Sequence, residues 1–201
     1  MTPMIYNYSL AIMPPAPISD LVKELKLALK KELSVSFSSV NAEAHISLDS
    51  FDAEEDHYPL ILEEYSRLIA GEKPISISFS GFSHFDGYYP SFYVRIEDNS
   101  KEEIRSFYGR VRQNLDPEIK KQYMRKWINE TKEPHMTVGR KLKPDWIKIA
   151  YRLFPEFEQE FLCSQVAIRQ FKPEWKQYRV LSTIDLEGKK GLNGSQLPLF
   201  G

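Results

Sequence analysis

The chain has 201 residues, of which 42% are apolar and 27% are charged, with a formal net charge of −1. This length can bury one core, or two small lobes that share a cleft. The single cysteine, Cys163, excludes an internal disulfide and a cysteine-based zinc site. The sequence contains no apolar stretch that could span a bilayer and no leader pattern, so we expect a soluble cytoplasmic protein with no membrane partner.

The charges are distributed unevenly along the chain. Residues 1–100 carry 7 Lys and Arg against 15 Asp and Glu, whereas residues 105–148 carry 12 against 5. The basic segment would attract a substrate that bears phosphate. The acidic first half disfavours the wrapping of a long nucleic acid. Solvated helix faces would account for the same distribution.

The first half is predicted to form strand, helix, strand, helix and strand. These elements are expected, in chain order, at residues 5–13, 19–33, 44–48, 52–71 and 75–79. Ser19 is the predicted N-cap of the first helix, and Asp52 with Glu55 resembles a capping box for the second. Residues 34–43 are ambiguous between a loop and a short strand.

The same order of elements is predicted again in the second half. Its elements are expected at residues 91–97, 100–115, 134–138 and 144–154, with closing strands at 161–171 and 178–186. Ser100 with Glu103 is a predicted capping box, and residues 116–133 form a longer, basic connection. The pattern therefore predicts an α+β protein with two similar halves.

Two of the predicted strands each place a histidine and a hydroxyl on one face. Alternation directs His45 and Ser47 away from the core, and likewise His135 and Thr137. Because imidazole titrates near pH 6.5, one ring can be neutral while the other is protonated. Such a pair can act as general base and general acid on a phosphodiester, while the hydroxyls donate to its oxygens.

The segments His45-Ile46-Ser47-Leu48 and His135-Met136-Thr137-Val138 resemble the signature of the 2H phosphoesterases, a family that includes 2′-5′ RNA ligase-like proteins and cyclic nucleotide phosphodiesterases. Ser47 stands where Thr is commoner, and the pattern allows it. The resemblance implies one domain over residues 1–187 with two similar lobes, roughly residues 1–90 and 91–187. Antiparallel-rich sheets flanked by helices would be related by a pseudo-twofold axis around a central cleft.

The resemblance also implies a substrate and a mode of action. The substrate would be a 2′,3′-cyclic phosphate, another cyclic nucleotide phosphodiester or a 2′-5′ linkage at an RNA end. His45, Ser47, His135 and Thr137 would form the catalytic quartet of a metal-independent phosphodiesterase with no cofactor, and we expect a monomer. The sequence assigns neither the acid nor the base, and it leaves hydrolysis and ligation both open.

Five further side chains are candidates for substrate contacts. These candidates are Arg125, Trp127, Arg140, Lys141 and Tyr178. Arg140 and Lys141 follow the second motif, Tyr178 begins the last strand, and Trp127 offers a surface on which a base would stack. Packing or solvation is the alternative role for each of them.

Residues 188–201 are predicted to form a flexible tail. Within this tail, Gln196-Leu197-Pro198-Leu199-Phe200 resembles the Gln-Leu-x-Leu-Phe motif by which bacterial proteins engage the replication sliding clamp. The alternative is that its apolar residues cover this protein's own core. Two further functions therefore stay open beside the enzyme: a noncatalytic module that binds nucleotides or RNA ends, and an adaptor that acts through the tail.

Overall fold

The computed structural model describes residues 4–88, 90–174 and 176–188. The strands in these ranges are β1 (Ile5–Ile12), β2 (Ile46–Glu54), β3 (Ile75–Phe85), β4 (Ser91–Ile96), β5 (Arg125–Asn129), β6 (His135–Arg140), β7 (Glu158–Cys163), β8 (Gln165–Lys172) and β9 (Gln177–Asp185). The α-helices are α1 (Ala16–Leu33), α2 (Tyr58–Ile69), α3 (Asp98–Asn114), α4 (Pro117–Tyr123) and α5 (Pro144–Leu153). The predicted clamp-binding motif at residues 196–200 lies outside the described residues.

The strands form one curled antiparallel sheet. Its order is β7-β3-β4-β6-β2-β1-β8-β9, and β5 pairs with the second part of β2. The two central strands, β2 and β6, meet at the single pair Ile46 and Met136, which divides the main order into two groups of four strands. The predicted α+β class with two similar lobes is confirmed.

The predicted repeat is present in the order of elements. The first copy is β1-α1-β2-α2-β3 and the second is β4-α3-β6-α5-β7, with α4 and β5 inserted before β6. The sheet interleaves the copies, because β3 of the first copy lies between β7 and β4 of the second. In addition β8, which follows the second copy in the chain, lies beside β1 of the first. Strand pairing therefore crosses the lobe boundary that the sequence places near residue 90.

Side-chain hydrogen bonds explain why the two predicted capping boxes are wrong. Asp52 lies inside β2, where its carboxylate accepts from the Asn7 amide at 2.8 Å. Ser100 lies inside α3, where its hydroxyl accepts from the Ser78 N–H at 2.9 Å. Ser19 also lies within its helix, because α1 begins three residues earlier, with a proline in its first turn. Proline is tolerated at that position, since its missing N–H would have no helical partner.

Two connections also differ from the prediction, and a third, which the sequence left ambiguous, is resolved. The basic segment at residues 116–133 contains α4 and β5, whose residues 125–129 show little apolar alternation. The single strand predicted at 161–171 is two strands, β7 and β8, which are separated at Ser164. Residues 34–43 form turns and no strand.

The helices pack against the sheet and enclose one apolar core. Contacts join α1 to β6, α5 to β4, α2 to β9 and α3 to β3. The apolar residues of both motif strands belong to this core, so the alternate residues face away from it. The sheet thereby exposes a polar face that the helices do not cover. None of the described helices is long and apolar enough to cross a membrane.

Candidate active site

Both histidine motifs show the predicted alternation of burial. Ile46 and Leu48 are fully buried, whereas His45 and Ser47 are half-buried. In β6, His135 and Thr137 are likewise half-buried between fully buried apolar neighbours. Each motif therefore anchors its imidazole and hydroxyl on a strand whose other face is fixed in the core.

The single pair that joins β2 to β6 determines how the two motifs face each other. Continuing that antiparallel register by one residue on each side places His45 opposite Thr137, and Ser47 opposite His135. Directly opposed Cβ atoms lie about 4.5–5.5 Å apart, and diagonal neighbours about 7–8 Å apart. The two imidazoles are therefore diagonal neighbours, with a hydroxyl residue opposite each of them.

Both motif strands carry a β-bulge directly after the hydroxyl residue. In β2 the register with β1 passes over Leu48, and in β6 the register with β4 passes over Val138. As a result, Leu48 and Asp49 are buried in succession, as are Val138 and Gly139. Bulges bend a strand locally and redirect its side chains, and they are common beside active sites.

The two histidine rings are held by the same backbone contact. Nδ1 of His45 lies 2.8 Å from the Glu43 carbonyl oxygen, and Nδ1 of His135 lies 2.7 Å from the Glu133 carbonyl oxygen. Because a carbonyl can only accept, Nδ1 must carry a proton and donate it in both cases. In the neutral ring, Nε2 is then the nitrogen that can take a proton from another molecule.

His45 lies in a cationic environment. Burial lowers the pKa of His45 well below its usual value, and the charges of Arg169, Lys26 and Arg140 lower it further. The hydrogen bond to Glu43 acts in the opposite direction. These influences favour a neutral imidazole at this position.

His135 lies in a mixed electrostatic environment. Burial lowers its pKa, the hydrogen bond to Glu133 raises it, and the charge of Arg140 lowers it. The carboxylates of Glu130 and Glu133 also raise the pKa of His135. Of the two rings, His135 therefore has the surroundings that better tolerate a proton.

Two aromatic rings that the sequence analysis missed enclose His135. The ring of Phe85 meets the imidazole edge to face at 4.9 Å between centroids, and the ring of Tyr93 lies 5.0 Å away. Phe85 and Tyr93 also contact each other at 4.5 Å. Tyr93 pairs with Thr137 across β4 and β6, so it lies on the polar face of the sheet. The alternation of side chains along β4 is the sequence signal that could have placed Tyr93 on this face.

Arg169 was also missed by the sequence analysis. It lies on β8 with 3% of its surface exposed, and its Nη2 donates to Ser9 Oγ at 2.9 Å. Its guanidinium carbon lies 5.1 Å from the ring centroid of Tyr178. Burial lowers the pKa of Arg169 to about 10. The signal for it is one arginine inside the otherwise uncharged run 165–171.

Three of the predicted contact residues either follow the second motif or contact Arg169. Arg140 is exposed at the end of β6, and its charge acts on both imidazoles. Lys141 follows it directly, with a positive φ of 60°. Tyr178 lies against Arg169, and its hydroxyl donates to the side-chain oxygen of Asn7.

The other two predicted contact residues have partners elsewhere. Arg125 forms an ion pair with Glu54 at 2.7 Å. The indole N–H of Trp127 donates to Asp49 at 2.9 Å, and the Lys120 ammonium lies 3.8 Å from the ring centroid. The ring of Trp127 is thus directed towards the buried Asp49 and covered by a lysine of α4.

Asp49 anchors β2 beneath the motif. Its carboxylate accepts from the hydroxyls of Tyr65, at 2.5 Å, and Tyr108, in addition to the indole of Trp127. The backbone N–H of Leu10 is a fourth donor, at 3.3 Å. Burial raises the pKa of Asp49, and these hydrogen bonds oppose the rise. The carboxylate fixes the strand directly after the bulge.

Within the described residues, no group of three or more His, Cys, Asp or Glu side chains is arranged to hold a metal ion. The side chains that meet on the polar face are two imidazoles, two hydroxyls and several cations. Such a set suits an anionic ligand and proton transfer.

A sheet with paired histidine strands at its centre defines a class of protein, and comparison with known families identifies it. The family model for the 2′-5′ RNA ligase superfamily matches residues 14–173. The chain therefore belongs to this superfamily, among the 2H phosphoesterases. No match was found among curated proteins.

Solved structures show the same fold. The protein TT0787 of Thermus thermophilus is 19% identical with a TM-score of 0.59, and the match covers 92% of this chain and 100% of that one. LigT of E. coli, solved in complex with NADP+, is 13% identical with a TM-score of 0.56, covering 92% of this chain and 99% of that one. A structure described as a phosphoesterase is 12% identical with a TM-score of 0.53, covering 91% of this chain and 99% of that one.

Proposed function

We propose that this protein is a phosphodiesterase that needs no metal ion and uses two histidines. Its substrate is a 2′,3′-cyclic nucleotide, an RNA end with a cyclic phosphate, or a 2′-5′ linkage. One observation carries the proposal: two half-buried imidazoles on adjacent strands are each fixed through Nδ1 by a carbonyl two residues earlier. Membership of the superfamily supports the same conclusion.

In the proposed reaction His45 is the general base and His135 is the general acid. Nε2 of neutral His45 takes a proton from water as the water oxygen bonds to phosphorus. The bond from phosphorus to the leaving ribose oxygen breaks, and protonated His135 supplies the proton for that oxygen. The assignment rests on the surroundings, since Arg169 and Lys26 act on His45, whereas the carboxylate of Glu133 acts on His135.

Three other side chains stabilise the phosphate. The hydroxyls of Ser47 and Thr137 donate to the non-bridging oxygens, where negative charge is concentrated. Arg140, whose charge acts on both imidazoles, partly neutralises that charge. In the ligation direction a ribose hydroxyl replaces water as the group that His45 deprotonates.

The test is turnover, in EDTA, of 2′,3′-cyclic nucleotides and of short RNAs that end in a 2′,3′-cyclic phosphate. We expect His45→Ala and His135→Ala each to lower kcat by about 10²- to 10⁴-fold, as for the loss of a general acid or base. His57→Ala is the matched control, because His57 packs on Tyr123 at 4.5 Å and lies outside the motifs. Its activity should equal that of the wild type.

Other outcomes would change the conclusion. Tight nucleotide binding without turnover by the wild type would favour the noncatalytic module. Loss of turnover in EDTA would contradict the proposal that the reaction needs no metal ion. Equal activity in all three variants would exclude the two-histidine mechanism.

A further inference from the structure

Arg169 is a buried cation whose hydrogen-bonding capacity is only partly used. Its Nε is buried and has no hydrogen-bond partner within the described part of the chain. The acidic residue whose charge acts on it, Glu43, lies 3.9 Å from Arg179 in an ion pair instead. Removal of a guanidinium from water without a paired anion is costly. Such a group is retained where it has a ligand to bind.

The strand register places Arg169 on the same face of the sheet as the histidines. Ser47 of β2 pairs with Ala11 of β1, and Ser9 lies two residues from Ala11 on the same face. Ser9 in turn pairs directly with Arg169 of β8. The guanidinium reaches back across β1, where it bonds to Ser9 and its charge acts on His45.

The backbone of Arg169 lies well away from the strands that hold the reacting phosphorus. Neighbouring strands lie about 4.8 Å apart, so β8 is about 10 Å from β2 and about 15 Å from β6. The scissile phosphate of the proposed reaction lies between β2 and β6. The charge of Arg140 acts on both imidazoles, whereas Arg169 carries the largest charge effect on His45.

We propose that Arg169, Ser9 and Tyr178 form a second phosphate subsite beside His45, so that the preferred substrate carries a second phosphate group next to the scissile one. The planar fork of arginine matches two phosphate oxygens, and Nε is the arm of that fork that is buried without a hydrogen-bond partner among the described residues. Ser9 and the Tyr178 ring hold the guanidinium in place. This inference rests on the proposed function for the position of the first phosphate.

The second phosphate has two possible sources with the same chemistry. It is either the 5′-phosphate of the terminal nucleotide or the phosphodiester that joins this nucleotide to its neighbour. Both can be presented as products that bind without turnover. The probes are a nucleoside 3′-monophosphate, a nucleoside 3′,5′-bisphosphate, and a dinucleotide that ends in a 3′-phosphate and begins with a 5′-hydroxyl.

The experiment measures binding of these three probes by calorimetry to the wild type, Arg169→Met and Arg169→Lys. We expect the wild type to prefer at least one two-phosphate probe over the monophosphate. In Arg169→Met that preference should fall about 10- to 100-fold, the loss expected for a charged hydrogen-bonded pair. Arg169→Lys should retain part of it, since lysine keeps the charge but loses the fork. Whichever two-phosphate probe loses its advantage identifies the source.

Thermal unfolding separates a binding role from a structural one. Replacement of a buried charge that lacks an ion pair by an apolar side chain is often neutral or stabilising, so the unfolding midpoint of Arg169→Met should not fall. Arg152→Gln is the control for lost positive charge, because Arg152 is exposed on α5. It should bind all three probes as the wild type does.

Two results would overturn the inference. A wild type that binds the monophosphate as tightly as both two-phosphate probes has no second subsite. Equal weakening of all probes in Arg169→Met would place the residue on the scissile phosphate. Failure of the proposed function is a separate outcome, since it would appear as absent turnover while the binding preference persists.

Discussion

The two histidine motifs have the same backbone arrangement but different chemical surroundings. On each side an imidazole donates through Nδ1 to the carbonyl two residues earlier, a hydroxyl follows, and a bulge comes next. Beyond that frame, His45 faces the cations Lys26 and Arg169. His135 instead lies against aromatic rings, with Glu130 and Glu133 near it.

This difference explains how a repeated fold can carry an asymmetric reaction. A general acid and a general base need opposite protonation states at one pH, so identical surroundings would serve neither role well. Here the repeat supplies the matched geometry, while the surroundings lower the pKa of both rings and lower that of His45 further than that of His135. The asymmetry thus resides in residues outside the motifs.

The hydroxyls test whether the shared frame acts on the phosphate from both sides. We expect Ser47→Ala and Thr137→Val each to lower kcat by about 10²-fold, because each removes one donor to a charged oxygen. Ser76→Ala is the matched control, since Ser76 is an exposed hydroxyl on β3. The measurement is steady-state kinetics with whichever substrate of the panel the wild type turns over. A loss in one variant alone would show that the two sides are not equivalent.

The residue after each bulge is a second point of comparison, because Asp49 occupies the position that Gly139 has in the other motif. We expect Asp49→Ala to lower the free energy of unfolding by about 3 kcal/mol or more, since it leaves Tyr65, Tyr108 and Trp127 with buried donors and no acceptor. Urea unfolding measures this change.

Asp52→Ala is the matched control for that experiment. Asp52 lies on the same strand, but it has one hydrogen bond, from the Asn7 amide, and one ion pair, with Lys126, whose side chain is 82% exposed. Such a hydrogen bond contributes about 0.5–1.5 kcal/mol and such an ion pair about 0–1 kcal/mol, so the loss should be smaller than for Asp49→Ala. If the two variants were equally destabilised, the buried network would not be what anchors β2. In the other motif Gly139 leaves room for Leu142, because a Cβ on Gly139 would lie 2.7 Å from Leu142 Cδ1.

The arrangement that the two motifs share, with a histidine and a hydroxyl residue on one face of a strand, was predictable from the sequence because it is local. Alternation of apolar and polar residues over five positions was sufficient to place His45 and Ser47 on one face, and His135 and Thr137 likewise. The order of elements also predicted the repeat. These signals depend on the period of a strand and of a helix, which act within one segment.

The asymmetric surroundings were not predictable in the same way. Arg169 reaches His45 only because β8 returns to pair with β1, about 160 residues away in sequence. Trp127 is a candidate for stacking on a base, and the partner of its indole N–H, Asp49, is 78 residues away in sequence. The capping boxes are wrong because Asp52 and Ser100 form hydrogen bonds with residues of neighbouring strands instead. In both capping boxes tertiary hydrogen bonds outweighed the local pattern.

The electrostatic difference between the two sides should be visible in the pH dependence of kcat/KM. In the proposed reaction the activity requires neutral His45, so kcat/KM falls as the pH drops through the pKa of His45. It also requires protonated His135, so it falls as the pH rises through the pKa of His135. Because both pKa values lie below the usual value of about 6.5, we expect the maximum on the acidic side of neutrality.

Removal of a charge on one side should move one limb of this profile and not the other. Lys26→Met removes a cation that lowers the pKa of His45, so the acidic limb should move to higher pH. Glu133→Gln removes an anion that raises the pKa of His135, so the alkaline limb should move to lower pH. Each displacement should be about one pH unit or less, because each variant removes only one of several influences on the pKa of its histidine.

The two variants narrow the profile from opposite sides, and this contrast makes the acid and base assignment testable. If His135 were the base and His45 the acid, Lys26→Met would move the alkaline limb and Glu133→Gln the acidic limb. Glu133→Gln keeps the backbone carbonyl that holds His135, and it removes the ion pairs of the Glu133 carboxylate with Lys101 and Arg105. A profile that moved as a whole in either variant would mean that the two rings titrate as one coupled pair rather than as separate acid and base.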